Sequence, residues 1–204
     1  ATHTDMRRVY AYLVKSRGID REVVSFFAKQ KLLYESCEKS KDGIKEYHNA
    51  VFVGYDENGI ARHAHKRGLY TEGKGFKGNV DGCLPQYSFH YTGTDNMLFV
   101  FEAPIDLLSY ITLHPQNWQS HSYVALCGVG CQAMIKMLEM NPQLREIFLC
   151  LDNDEAGHRA SQRLQNQLAE SGYQCNRFVS QEKDWNEDLV SGQQSHIGFE
   201  MRMA

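Results

Sequence analysis

Residues 95–204 predict an α/β domain whose parallel sheet carries helices on both faces; residues 1–94 predict a smaller α+β subdomain, a helical pair plus a β-hairpin. Strand-like runs at 97–101, 123–126, 146–151 and 173–179 alternate with helical patterns at 105–113, 132–140 and 155–171, the order of linked βαβ units. Phe148-Leu149-Cys150-Leu151 is wholly apolar and stops at Asp152-Asn153-Asp154, as a strand buried on both faces would. In the first half, an apolar run at 50–55, a turn at Asp56-Glu57-Asn58-Gly59 and a return at 60–68 make the hairpin.

The helical pair comes first in the chain. Met6, Val9, Tyr10 and Leu13 share one face of a helix over 5–17, which Gly18 ends. Asp20 suits the N-cap of a second helix, whose Val23, Val24 and Phe27 continue the apolar stripe. Both stripes read as core. Residues 35–45 are polar and charged without periodicity and read as a surface excursion.

The returning hairpin strand bunches Arg62, His63, His65, Lys66 and Arg67, and Gly73-Lys74-Gly75-Phe76-Lys77-Gly78 follows. Glycines between lysines let backbone amides and ammonium groups approach a phosphate closely. A solvated edge strand guarded by charge would carry the same residues. His63 and His65 fall on one face of the strand and, with no third ligand evident, read as a surface pair.

The chain of 204 residues is 42% hydrophobic and 23% charged, the balance of an ordinary globular protein with a real core. No apolar run approaches the ~20 residues needed to span a bilayer, so no membrane partner is expected. The six cysteines are scattered, and Cys127 and Cys131 lack a second pair at zinc-site spacing. A reduced, cytoplasmic protein is the expectation. Net charge is −3, divided unevenly: 15 lysines and arginines against 11 acids in residues 1–94, and 7 against 14 in 95–204. A basic half that could hold phosphate is joined to an acidic half that could hold metal.

Asp152 and Asp154 fall where a strand passes into a helix, the edge at which open α/β sheets bind ligands. Glu102 ends another strand, with Asp106 four residues on. Carboxylates gathered at one edge repel unless a cation or proton neutralises them, and hard divalent cations prefer such oxygens. Acidic helix starts that complement the macrodipole are the plainer reading of each pair alone. Ala156 and Gly157 would let the next helix pack close to the strand. Gly128 and Gly130 are expected at a strand-to-helix turn with no room for side chains.

Phe101-Glu102-Ala103-Pro104-Ile105-Asp106, Val124-Ala125-Leu126-Cys127-Gly128 and Asp152-Asn153-Asp154-Glu155-Ala156-Gly157 resemble, in order, the three signatures of the Toprim domain. DnaG-type primases, type IA and type II topoisomerases and some nucleases share it, and the resemblance covers roughly residues 95–190. Tyr12-Leu13, Gly18-Ile19 and the hairpin from Phe52 to Gly59 are similar to the amino-terminal subdomain of the DnaG-type catalytic core. They are more similar still to a module of unknown function that precedes Toprim in proteins of mobile elements.

The resemblance implies magnesium or manganese held by Asp152, Asp154, Asp106 and Asp184, with Glu102 a metal ligand or a general acid/base. Glu102, Asp152 and Asp154 would be the catalytic set, and Gly128 and Gly157 the structural turns. Arg62, Lys66, Arg67, Lys74 and Lys77 would guide single-stranded DNA or another nucleic acid. Nucleoside triphosphates and a helicase or other replication protein are the implied further partners. Lys183-Asp184-Trp185-Asn186 departs from the primases' Lys-Asp-Pro-Asp-like segment by an amide at Asn186, which removes one charge from the metal set. Glu187 and Asp188 either compensate or begin a helix.

Phosphoryl and nucleotidyl transfer need alignment and charge neutralisation more than covalent help. The expected function is therefore metal-dependent, primase-like primer synthesis for a mobile element. A Toprim nuclease and a non-catalytic nucleic-acid-binding module stay open beside it. A topoisomerase is not expected, because its transesterifying tyrosine sits in a separate domain for which this stretch has little room. The start at Ala1-Thr2-His3-Thr4 suits an excised piece, since primases carry a zinc-binding domain upstream.

Overall fold

A computed structural model describes the backbone of residues 5–40, 42–70, 75–128 and 130–203, with side chains to residue 194. The chain opens with α1 (Arg7–Tyr10), which runs on as a π-helical segment, Ala11–Ser16. Then come α2 (Arg21–Lys29), β1 (Leu33–Lys39), β2 (Glu46–Tyr55), β3 (Ala61–Gly68), β4 (Lys77–Asn79) and β5 (His90–Tyr91). β6 (Met97–Phe101), α3 (Pro104–Leu113), β7 (Ser122–Ala125), α4 (Gln132–Met140), β8 (Glu146–Leu149), α5 (Glu155–Glu170), β9 (Gln174–Arg177) and α6 (Trp185–Met203) complete it.

Asp20 caps α2 as its position suggests, accepting the N–H groups of Glu22 and Val23. The first sheet is antiparallel with four strands in chain order, β1-β2-β3-β4, so the hairpin is its centre and not its whole. The extra strand β1 takes up residues 35–39 of the stretch expected as a surface excursion, while 42–45 form an exposed turn. The strand's apolar signal is hidden because a buried-face position is polar: Glu35 is fully buried. Glu35 Oε1 lies 2.8 Å from His48 Nδ1, and Glu35 Oε2 accepts the Val9 N–H at 3.2 Å. Those partners offset the loss of water that a buried carboxylate suffers.

The second sheet has the order β5-β7-β6-β8-β9; β7, β6, β8 and β9 run parallel and β5 runs antiparallel at one edge. Alternation along β6 divides the core. Leu98 and Val100 pack with Met134, Met137, Leu164 and Leu168 of α4 and α5 on one face. Phe99 and Phe101 pack on the other with Leu107, Ile111, Trp185 and Leu189 of α3 and α6. That second cluster also takes in Leu13, Val24 and Phe27 from the amino-terminal helices and Ala50 and Phe52 from β2. One apolar core thus sets the antiparallel sheet against the parallel one, with the carboxyl ends of β6 and β8 at the junction.

Candidate active-site cleft

Glu102 follows β6 directly, and Asp106 lies in the first turn of α3, whose N1 position is Pro104. Asp152 follows the end of β8, and Asp184 caps α6 by accepting the Glu187 N–H at 2.8 Å. These four acids line one cleft of about 570 Å³. Arg17, His65, Arg67, Lys77 and Lys183 line it as well, with Phe52 and Asn186.

The acids destabilise one another's charge. Burial pushes Asp152 up to about 7, and Glu102, Asp184 and Asp154 add to the shift while Lys183 opposes it. Burial, then Asp184 and Asp152, lift Asp106 well above the usual carboxylate range. Glu102 is raised by burial, against the Asp152 N–H and with Asp154. Asp152 Oδ1 is buried and has no hydrogen-bond partner. A buried, unsatisfied oxygen among carboxyls whose ionised forms lack a compensating charge is a donor set that fits a hard divalent cation.

Asp154 sits differently. It caps α5 through the Gly157 N–H at 2.9 Å, and that bond lowers its pKa. It lies outside the residues that line the cleft. Gly157 does the packing expected of it: a Cβ there would stand 2.0 Å from the Asp152 carbonyl oxygen. Gly128 is another matter. Nothing lies within 4 Å of where its Cβ would be, and Gly130 would meet only the Gln132 side chain. The left-handed residue of that turn is Cys127, at φ 53°.

The basic residues divide by strand alternation. Arg67 and Lys77 are cross-strand partners and both line the cleft, a like-charge pair that an anion would relieve. Arg62 instead pairs with Asp56 at 2.7 Å at the hairpin turn, and Lys66 pairs with Glu38 of β1. Neither lines the cleft: Lys66 points from the other face of β3, and Arg62 is the extra residue where the β2–β3 register shifts, beside the turn. Lys74 lies outside the described residues. His63 and His65 are buried, not a surface pair: His65 Nδ1 is 2.7 Å from Asn79 Oδ1, and Asn79 Nδ2 donates to the Cys127 carbonyl at 3.0 Å. That relay ties the antiparallel sheet to the turn after β7.

Two cations in the cleft had no strong mark in the sequence. Arg17 ends the first helix, and its Nε and Nη2 donate to Tyr12 Oη at 2.9 and 2.8 Å; Arg67 Nε donates to the same oxygen at 3.1 Å. Lys183 precedes the capping Asp184. Asn186, expected as a weakened metal position, is committed elsewhere: its amide bonds Arg17 and Ser109. Asp188 caps the preceding loop through the N–H groups of Gln181 and Glu182.

Among the described residues, one group brings three nitrogen, sulfur or carboxylate ligands within 4.8 Å of one another: Cys37, Glu46 and His48. The cleft acids do not form such a group. No helix of the described residues is long and apolar enough to cross a membrane.

Residues 99–189 match the family model described as Toprim-like, and residues 11–102 match one described as protein of unknown function (DUF3991). An uncharacterized protein of Bacillus anthracis is 27% identical over 168 residues, 77% of this chain and 46% of the relative. This chain therefore spans less than half the length of that curated relative. The primase fragment of the bacteriophage T7 primase-helicase protein superposes with a TM-score of 0.61 at 22% identity, covering 90% of this chain and 71% of the fragment. The E. coli primase catalytic core gives 0.60 at 16% identity, covering 98% and 74%. The shared fold is that of the primase cores.

Proposed function

Starting from a Toprim-like domain behind a DUF3991 module, on a primase-core fold, we propose that this chain carries out metal-dependent nucleotidyl transfer on a nucleic acid, as primer synthesis. The observation that supports this is the mixed lining of one cleft, where Glu102, Asp106, Asp152 and Asp184 meet Arg17, Arg67 and Lys77. Asp152 and Asp184 would hold magnesium or manganese together with Asp106, and Asp154 would contribute from the cleft's rim. When bound, the cation neutralises charge on the phosphoryl oxygens in transfer.

The chain's own groups supply position and proton handling. Arg67 and Lys77 bind and orient the phosphates, and Arg17, fixed by Tyr12 and Asn186, adds its guanidinium to the same cleft. Glu102, raised by burial, takes the proton of the attacking 3′ hydroxyl on a carboxylate oxygen. Phe52 keeps the floor apolar, which strengthens each charge contact there.

The test incubates the chain with single-stranded DNA, magnesium or manganese, and labelled nucleoside triphosphates. Short products that vanish in Glu102→Gln support the reading. Strand shortening without triphosphate replaces it with a nuclease, and binding without either product replaces it with a non-catalytic module.

A further inference from the structure

We propose that the antiparallel sheet carries a second metal site, for zinc or a similar transition ion, built from Cys37, Glu46 and His48 and separate from the acidic cleft. Cys37 and His48 are direct cross-strand partners on β1 and β2, so both side chains leave the same face. Glu46, two residues before His48, shares that face by alternation. Their ligand atoms lie within 4.8 Å of one another, with His48 Nε2 3.7 Å from Glu46 Oε2. Thiolate, imidazole and carboxylate together are a zinc donor set, and the fourth position of a tetrahedral site would fall to water.

The surroundings argue for more than coincidence. Metal-bound histidine usually presents one ring nitrogen to the ion and the other to a carboxylate, which fixes the ring. His48 Nδ1 lies 2.8 Å from the fully buried Glu35, leaving Nε2 turned toward Glu46. Arg8 stands 3.6 Å from Glu35 and offsets part of its charge. A soft and borderline donor set selects against magnesium, so the two sites would sort their ions by chemistry. Binding converts the Cys37 thiol to thiolate and releases its proton to solvent; no electron moves.

Chelator-treated protein should be titrated with cobalt(II) as the spectroscopic stand-in. One equivalent should raise a thiolate-to-cobalt charge-transfer band that zinc displaces and magnesium does not. Cys37→Ser should abolish the band and the zinc-dependent rise in melting temperature. Glu46 is exposed, so Glu46→Gln tests the same site without disturbing the core. Glu35→Gln should weaken zinc binding about 10–100-fold. Asp152→Asn with Asp154→Asn should leave the band intact. No thiolate band in the wild type, or a band that survives Cys37→Ser, would overturn the site.

Discussion

Arg17 and Asn186, 169 residues apart, hold each other by two hydrogen bonds: Arg17 Nη1 donates to Asn186 Oδ1 at 3.1 Å, and Asn186 Nδ2 donates to the Arg17 carbonyl at 2.8 Å. Asn186 Nδ2 also reaches Ser109 Oγ at 3.0 Å. Where a carboxylate would serve a metal, this chain has an amide that joins its first helix to its last and to α3. A carboxylate could accept from Arg17 but could donate to neither the carbonyl nor, when ionised, the hydroxyl.

Asn186→Asp should therefore lower stability by about 1–3 kcal/mol, through lost donors and a charge added near Asp106 and Asp184. Chemical denaturation measures it. A variant as stable as the wild type, with a larger magnesium-dependent gain, would show that the position still belongs to the metal.

The division of the basic residues predicts a matching division in binding. Arg67→Ala and Lys77→Ala should each remove roughly 0.7 from the log–log salt slope of single-strand binding. Arg62→Ala and Lys66→Ala should leave the slope unchanged, because those side chains are paired with Asp56 and Glu38 away from the cleft. Fluorescence anisotropy over a salt series separates the two pairs.

Much of this was legible in the sequence, for reasons particular residues show. β6 is apolar and buried nearly throughout, and the end of β8 runs into buried Cys150 and Leu151, so both stood out, and Glu102 and Asp152 with them. Asp20 announced its helix. The split of Lys66 from Arg67 follows from a period of two and was there to be read, whereas Arg62 is set apart by a register shift that no alternation predicts. β1 was hidden by the buried polar Glu35, whose partners Val9 and His48 lie far off in the chain. Arg17 was hidden because a helix-ending arginine ordinarily faces solvent, and only Tyr12 and Asn186 turn it into the cleft.

In the absence of divalent ions the acids should make stability fall as pH rises. The folded pKa of Asp152 is raised, so its contribution is full below its ordinary value near 3.8 and is lost as pH climbs through about 7. His63 works in the opposite sense: burial lowers it to about 4, so stability is lost as pH falls from 6.5 toward that value. Asp152→Asn should flatten the fall between about pH 4 and 7 and leave the opposing His63 contribution in place. Denaturation at pH 5 and pH 8 in chelator decides it; an unchanged drop in the variant assigns the loss to another group.

Gly157→Ala forces a Cβ into the Asp152 backbone oxygen, 2.0 Å away where ordinary contact begins beyond 3.4 Å. Overpacking of this kind costs about 1–3 kcal/mol or more. The helix can relieve it only by moving off the strand end that positions Asp152. Melting temperature should drop and the magnesium response should weaken together; a drop in stability with the magnesium response intact would confine Gly157 to packing.

If the cleft acids hold a divalent cation, magnesium should raise the melting temperature of the chain. Binding to the folded state should add about 2.7 kcal/mol when magnesium is at 100 times its dissociation constant. Asp152→Asn combined with Asp154→Asn should abolish that gain, and in chelator Asp152→Asn alone should melt no lower than the wild type, since the burial and the neighbouring charges that disfavour an ionised Asp152 no longer act. An undiminished magnesium shift in the double variant would contradict the account.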